Sequence, residues 1–244
     1  MMTKTLKVSI ATNTFVSQRI LTDQALSQTQ KPLGSHPGSR LHRAVFLDKD
    51  GTLIEDKSYN VNPADMHLTF GAADGLRMMH DLGYRLIVIS NQSGVARGYF
   101  TEAALEQVEW RLRELLAEIR IPLDGFYYCP HHPDGVIAEY AVTCDCRKPA
   151  PGMLFRAAHE HSIDLKISWV IGDILDDVQA GKRAGCRAIL IDHENETADT
   201  PERTPHYRVD NLQQAAERIL EENLKEGGLR LAEKPFFGNV GVRK

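Results

Sequence analysis

Two places in this 244-residue chain carry residue types whose spacing could do chemistry. The first is Asp48-Lys49-Asp50-Gly51-Thr52, two carboxylates two residues apart, followed by a glycine that lets the backbone turn sharply. Such a pair can divide the work of a nucleophile and of a general acid or base. The second is Cys129-Pro130-His131 and, after twelve intervening residues, Cys144-Asp145-Cys146. Three thiols and an imidazole in two tight pairs are the donor set of a closed, tetrahedral zinc site. All four positions are then filled, so the expected zinc is structural. His132 is left out, because adjacent residues seldom both reach one ion. The crowding of three cysteines points to metal and away from disulfides. Cys186, alone in the apolar run 184–191, is expected to be a small buried hydrophobe.

The elements that must position these groups alternate. An apolar strand, Ala44–Leu47, runs straight into Asp48. A helix follows over 72–82, a buried strand over 85–90, and then a helix for which Thr101 is a plausible cap. In that helix Leu105, Val108, Leu112, Leu115 and Ile119 recur at three- and four-residue steps on one face, a stripe that reads as core packing. Strands are expected over 125–128, 168–171 and 187–191. Helices start near Pro151, placed at the first helical position, and near Ile174, and a last amphipathic helix covers 211–223. Strand and helix in alternation predict an α/β fold, a Rossmann-like parallel sheet covered on both faces, with ligands at the carboxyl ends of its strands.

Asp-x-Asp-Gly-Thr after an apolar strand resembles the haloacid dehalogenase superfamily. Its further signatures occur in order at later strand ends: Ser90, then Lys148 in Arg147-Lys148-Pro149, then Gly172-Asp173 with Asp177. The resemblance covers residues 43–223 and implies that fold with a minimal cap, and a magnesium-dependent phosphatase. It implies that Asp48 attacks phosphorus to give an aspartyl phosphate, and that Asp50 protonates the leaving group and later activates water. Asp48, the Asp50 carbonyl and Asp173 would hold Mg²⁺. Ser90 and Lys148 would grip the phosphoryl oxygens, with Asp177 in support and Asn91 and Arg147 binding substrate. The zinc loop and the runs SNQSGVARGYFTE, DGFYYCPHHPDG and CDCRKPAPGM look like the D-glycero-D-manno-heptose 1,7-bisphosphate 7-phosphatases, enzymes of activated-heptose synthesis for bacterial surface polysaccharide. The related histidinol-phosphate phosphatases have a shorter spacing between the ligand pairs. They, or another small phosphomonoester hydrolase, are the alternative reading. A non-catalytic zinc-stabilised binding module is a third, which has no need of Asp48 and Asp50 together. In two respects the chain departs from the family, with Ile174 where a basic residue usually follows the last-motif aspartate and with an N-terminal extension that has no counterpart there.

Composition sets the remaining bounds. With 42% hydrophobic and 25% charged residues the chain can bury one sizeable core, and a net charge of −4 offers no broad basic surface for nucleic acid. Nothing approaches the roughly 18 apolar residues of a membrane span, and no compact export signal opens the chain. A cytoplasmic monomer acting on a small phosphorylated sugar, with no nucleic-acid or membrane partner, is expected. Residues 1–42, rich in Ser, Thr and Gln with Asp23 as their one acid, read as a flexible extension. The catalytic domain is expected over 43–225 and a tail over 226–244.

Overall fold

The computed structural model describes residues 41–193 and 197–227. The expected extension therefore lies outside the described residues but for Leu41 and His42, and the tail but for Glu226 and Gly227. His42 is already tied to the domain, since its amide donates to the Ser162 carbonyl and its carbonyl accepts from Asp164.

Six strands, β1 (Ala44–Leu47), β2 (Arg85–Asn91), β3 (Gly125–Cys129), β4 (Trp169–Gly172), β5 (Arg187–Ile191) and β6 (Tyr207–Val209), form one parallel sheet in the order β3-β2-β1-β4-β5-β6. Among the described residues four α-helices connect strands, α1 (Ala72–Asp81), α2 (Ala104–Glu118), α3 (Gly152–His161) and α4 (Leu175–Ala184), and α5 (Leu212–Lys225) follows β6. Parallel strands require such crossovers, and a sheet covered on both faces must be apolar on both. The strands obey this residue by residue. Val45 and Leu47 of β1, Leu86 and Val88 of β2, and Trp169 and Ile171 of β4 join the core beneath α1, α2 and α5. Ala44, Phe46, Ile87, Ile89 and Val170, one step out of phase, join the core beneath α3 and α4. The α2 stripe packs as expected, with Leu105, Val108, Leu112 and Leu115 buried and Ile119 against the same core. Cys186 is buried in the second core, as expected, and burial pushes its thiol up to about 12.

Three local expectations need correction. Thr101 does not cap α2, because a turn at 101–103 intervenes and the Thr101 carbonyl accepts from the Ala104 amide (3.0 Å). Pro151 stands one residue before α3, not at its first position, where its missing N–H still costs nothing. The edge strand β6 was not expected, being three residues long with no clear alternation. Among the described residues no helix is long and apolar enough to cross a membrane.

β2 and β4 flank β1 on opposite sides, so the chain leaves the carboxyl end of β1 between loops that diverge. This is the switch point at which open α/β sheets bind ligands. No separate domain is inserted between β1 and α1; residues 48–71 form a short flap held by the bridges Asp50↔Ile54 and Ile54↔Leu68.

Candidate active site

Asp48 directly follows β1, its amide donating to the Ile171 carbonyl of β4 (2.9 Å), and the residue is buried. The next residues must turn away within a few ångströms of Asp173, and Gly51 makes this possible. Its φ of +75° is the left-handed region, and a Cβ there would fall on the Asp173 carboxylate. Asp173 accepts from the Thr52 hydroxyl (3.4 Å). Gly172 performs a parallel service, since a Cβ on it would overlap the Asp177 carboxylate. Oxygens of Asp48, Asp173 and Asp177 lie within 4.8 Å of one another. Burial first, then Asp48 and Asp177, push the Asp173 carboxyl up to about 8. A cluster of buried carboxylates short of positive charge suits a divalent cation with hard oxygen ligands.

Lys148 supplies one cation already. Its ammonium is fully buried, contacts Asp48, stands 2.5 Å from Asp177 and donates to the Ile89 carbonyl (3.1 Å). Burial alone would lower its pKa, but Asp177 and Asp48 outweigh it and raise the net value. Asn91 is spent on the same lysine, donating to its carbonyl (3.1 Å) and accepting from its amide (3.0 Å). The structure therefore places Asn91 behind Lys148, with both amide groups engaged.

Two groups escaped the sequence reading. Lys49, between the two aspartates, is buried, and its ammonium lies 2.5 Å from Asp50. Burial raises the Asp50 pKa, and Lys49 opposes the rise. Gln92, also buried, donates to both Asp50 (3.3 Å) and the Ser90 hydroxyl (2.7 Å), which ties two expected catalytic groups together. No residue-type signal marked either one, because a lysine or glutamine in a loop reads as solvated until its surroundings are known.

Beyond β3 the second cluster assembles as expected. The sulfurs of Cys146 and Cys129 are 3.2 Å apart, those of Cys146 and Cys144 3.2 Å, and those of Cys129 and Cys144 3.5 Å. His131 Nδ1 lies 3.3 Å from the Cys146 sulfur. Arms of about 2.3 Å in a tetrahedron imply edges near 3.7 Å, so the four atoms can hold one metal ion after a small outward adjustment. Its loop is anchored by Glu102, which accepts from Tyr128 (2.8 Å) and Tyr140 (2.8 Å). Arg147, directly after the last cysteine, is not among the carboxylates; one of its terminal nitrogens is buried without a hydrogen-bond partner. Ile174, where charge was missed in the sequence, precedes α4 and is exposed.

A carboxylate pair at the switch point, faced by a buried lysine and a second acidic pair, defines a phosphoryl-transfer hydrolase of the haloacid-dehalogenase type. The HAD-hydrolase-like family model matches residues 145–215. The D-glycero-β-D-manno-heptose-1,7-bisphosphate 7-phosphatases of Yersinia pestis and Escherichia coli K12 are each 44% identical over 142 and 141 residues. Those stretches are 58% of this chain and 75% and 74% of theirs. A crystal structure of the D,D-heptose 1,7-bisphosphate phosphatase of B. bronchiseptica, complexed with magnesium and phosphate, superimposes with a TM-score of 0.64 at 30% identity. It covers 74% of this chain and 99% of its own. The chain belongs to the D-glycero-β-D-manno-heptose-1,7-bisphosphate 7-phosphatase family.

Proposed function

We propose that this enzyme removes the C7 phosphate of D-glycero-D-manno-heptose 1,7-bisphosphate through an aspartyl phosphate on Asp48, in the cytoplasmic synthesis of activated heptose for surface polysaccharide. The observation that carries the reading is the buried Lys148 ammonium between Asp48 and Asp177 at the end of β1, within a chain 44% identical to phosphatases of that name. Asp48 is held in line by β1 and attacks phosphorus. Lys148 moves from the carboxylate to a phosphoryl oxygen, and the Ser90 hydroxyl donates to another. Asp50, buried but steered by Lys49 and Gln92, gives a proton to the leaving alkoxide and takes one from the water that opens the intermediate. Asp48, the Asp50 carbonyl and Asp173 would hold Mg²⁺, which supplies charge to a phosphoryl group whose three oxygens grow more negative. Asp177 fixes Lys148, and Asn91 does so from the backbone side.

Cys129, His131, Cys144 and Cys146 hold zinc, and the loop it folds carries Arg147 to the rim. There the planar guanidinium grips the phosphate that is not cleaved. Binding energy from that remote group orients the sugar, so Arg147→Ala should lower kcat/KM on the bisphosphate by about 1 to 3 kcal/mol. A minimal aryl phosphate has no remote group and should lose much less. Phosphate release measured on the heptose bisphosphate, histidinol phosphate and an aryl phosphate tests the assignment. Faster cleavage of histidinol phosphate would overturn it.

A further inference from the structure

At the rim of the site three cationic or donor side chains meet with too few acceptors. Arg97, from the loop after β2, points a guanidinium nitrogen at His132 Nε2 (3.1 Å), and its own Nε is buried without a partner. His132 Nδ1 accepts from the Asp134 amide (3.1 Å). A neutral imidazole has one acceptor nitrogen, and here both nitrogens face donors. Arg147 adds a buried terminal nitrogen with no partner of its own. Asp134, the carboxylate that pairs with His132 among the described residues, lies 3.9 Å from His132 Nδ1 with its side chain 86% exposed, too loose to neutralise the group. Backbone bonds clasp the two loops together, the amides of Val136 and Ile137 both donating to the Ala96 carbonyl (2.8 and 3.0 Å). The donors are thus held in place by structure that does not depend on them. Buried donors facing one another without an acceptor are costly, and an anion resolves the conflict by accepting from all of them.

We infer that Arg97 and His132 complete, with Arg147, a pocket for a dianionic phosphate other than the one being cleaved. Arg97 binds this phosphate directly, and His132 turns an N–H toward it. The inference rests on the bisphosphate reading above and extends it to two residues from separate loops.

The test uses the full-length, metal-loaded enzyme with Arg97→Gln and Arg97→Lys. Three compounds are compared: the sugar bisphosphate, the matching sugar carrying only the cleaved phosphate, and the sugar carrying only the remote phosphate, used as a competitive inhibitor. Arg97→Gln should reduce kcat/KM on the bisphosphate at least tenfold more than on the monophosphate, mostly through KM, as loss of a charge-assisted bond demands. Inhibition by the remote-phosphate sugar should weaken in parallel, and Arg97→Lys should recover part of both. Zinc per chain, measured in each variant, must stay constant. Equal losses on both substrates, or unweakened inhibition, would show Arg97 to be only a clasp for the loop and overturn the inference. Failure of the bisphosphate reading looks different, because the wild-type enzyme itself would then show no preference for the bisphosphate.

Discussion

Lys148 sits where two buried carboxylates would otherwise face each other, and its ammonium contacts Asp48 and stands 2.5 Å from Asp177. An ionised, in-line Asp48 is what covalent catalysis requires. Asp48→Asn keeps the shape but cannot attack phosphorus, so turnover should fall by many orders of magnitude in a protein with an unchanged circular-dichroism spectrum and melting curve. A variant that kept a tenth of the wild-type kcat would refute the nucleophile assignment. Asp173 makes a second test possible. Its carboxyl is raised from 3.8 to about 8, so without a cation the folded protein holds a proton that the unfolded chain has lost. The folded state binds more protons across that window, and stability therefore falls as pH rises from about 4 to about 8. Adding Mg²⁺ should raise Tm more at pH 8 than at pH 5, with the EDTA-treated protein as reference; equal increments would argue against Asp173 as a cation ligand. At this scale the sequence announced residues whose type is rare at their spacing, Asp48 and Asp50 above all. It was silent on Lys49, Gln92 and Arg97, whose importance comes from burial and from partners 35 or more residues away, or from which way a neighbour faces.

The loop between β3 and α3 does at element scale what these side chains do singly. It has few apolar residues to bury, so its shape depends on the Cys129, His131, Cys144 and Cys146 cluster and on Glu102, which ties Tyr128 of β3 and Tyr140 of the loop to the turn before α2. Burial raises the Cys144 thiol, and the bond to Cys129 with burial raises Cys146, so both are protonated without metal and must release protons to bind it. One zinc per chain is the expected stoichiometry after loose ions are removed. Cys144→Ser with Cys146→Ser should abolish it and expose residues 129–150 to protease while the sheet persists. Stoichiometric zinc in that double variant would contradict the ligand set. Strands were readable as short apolar runs, being buried on both faces, and long helices because their period of 3.6 repeats often enough to stand out. The missing β6 and the misplaced cap of α2 have the opposite cause. Three residues on a sheet edge show no period, and a threonine that could cap a helix is equally at home in the turn before one.

For the whole molecule, the sheet order puts β1 in the middle, buried at all four residues and bonded on one side to β2 and on the other to β4. Its amides are expected to exchange with solvent last, whereas Arg97 and Arg147 are carried by loops between elements. The proposed nucleophile thus directly follows a central strand of the sheet, and the residues proposed to choose the substrate stand on loops between elements. Over evolutionary time such an arrangement separates two histories: loop substitutions can redirect the enzyme to another phosphate ester without disturbing how phosphorus is attacked, while a change in β1 puts every substrate at risk at once.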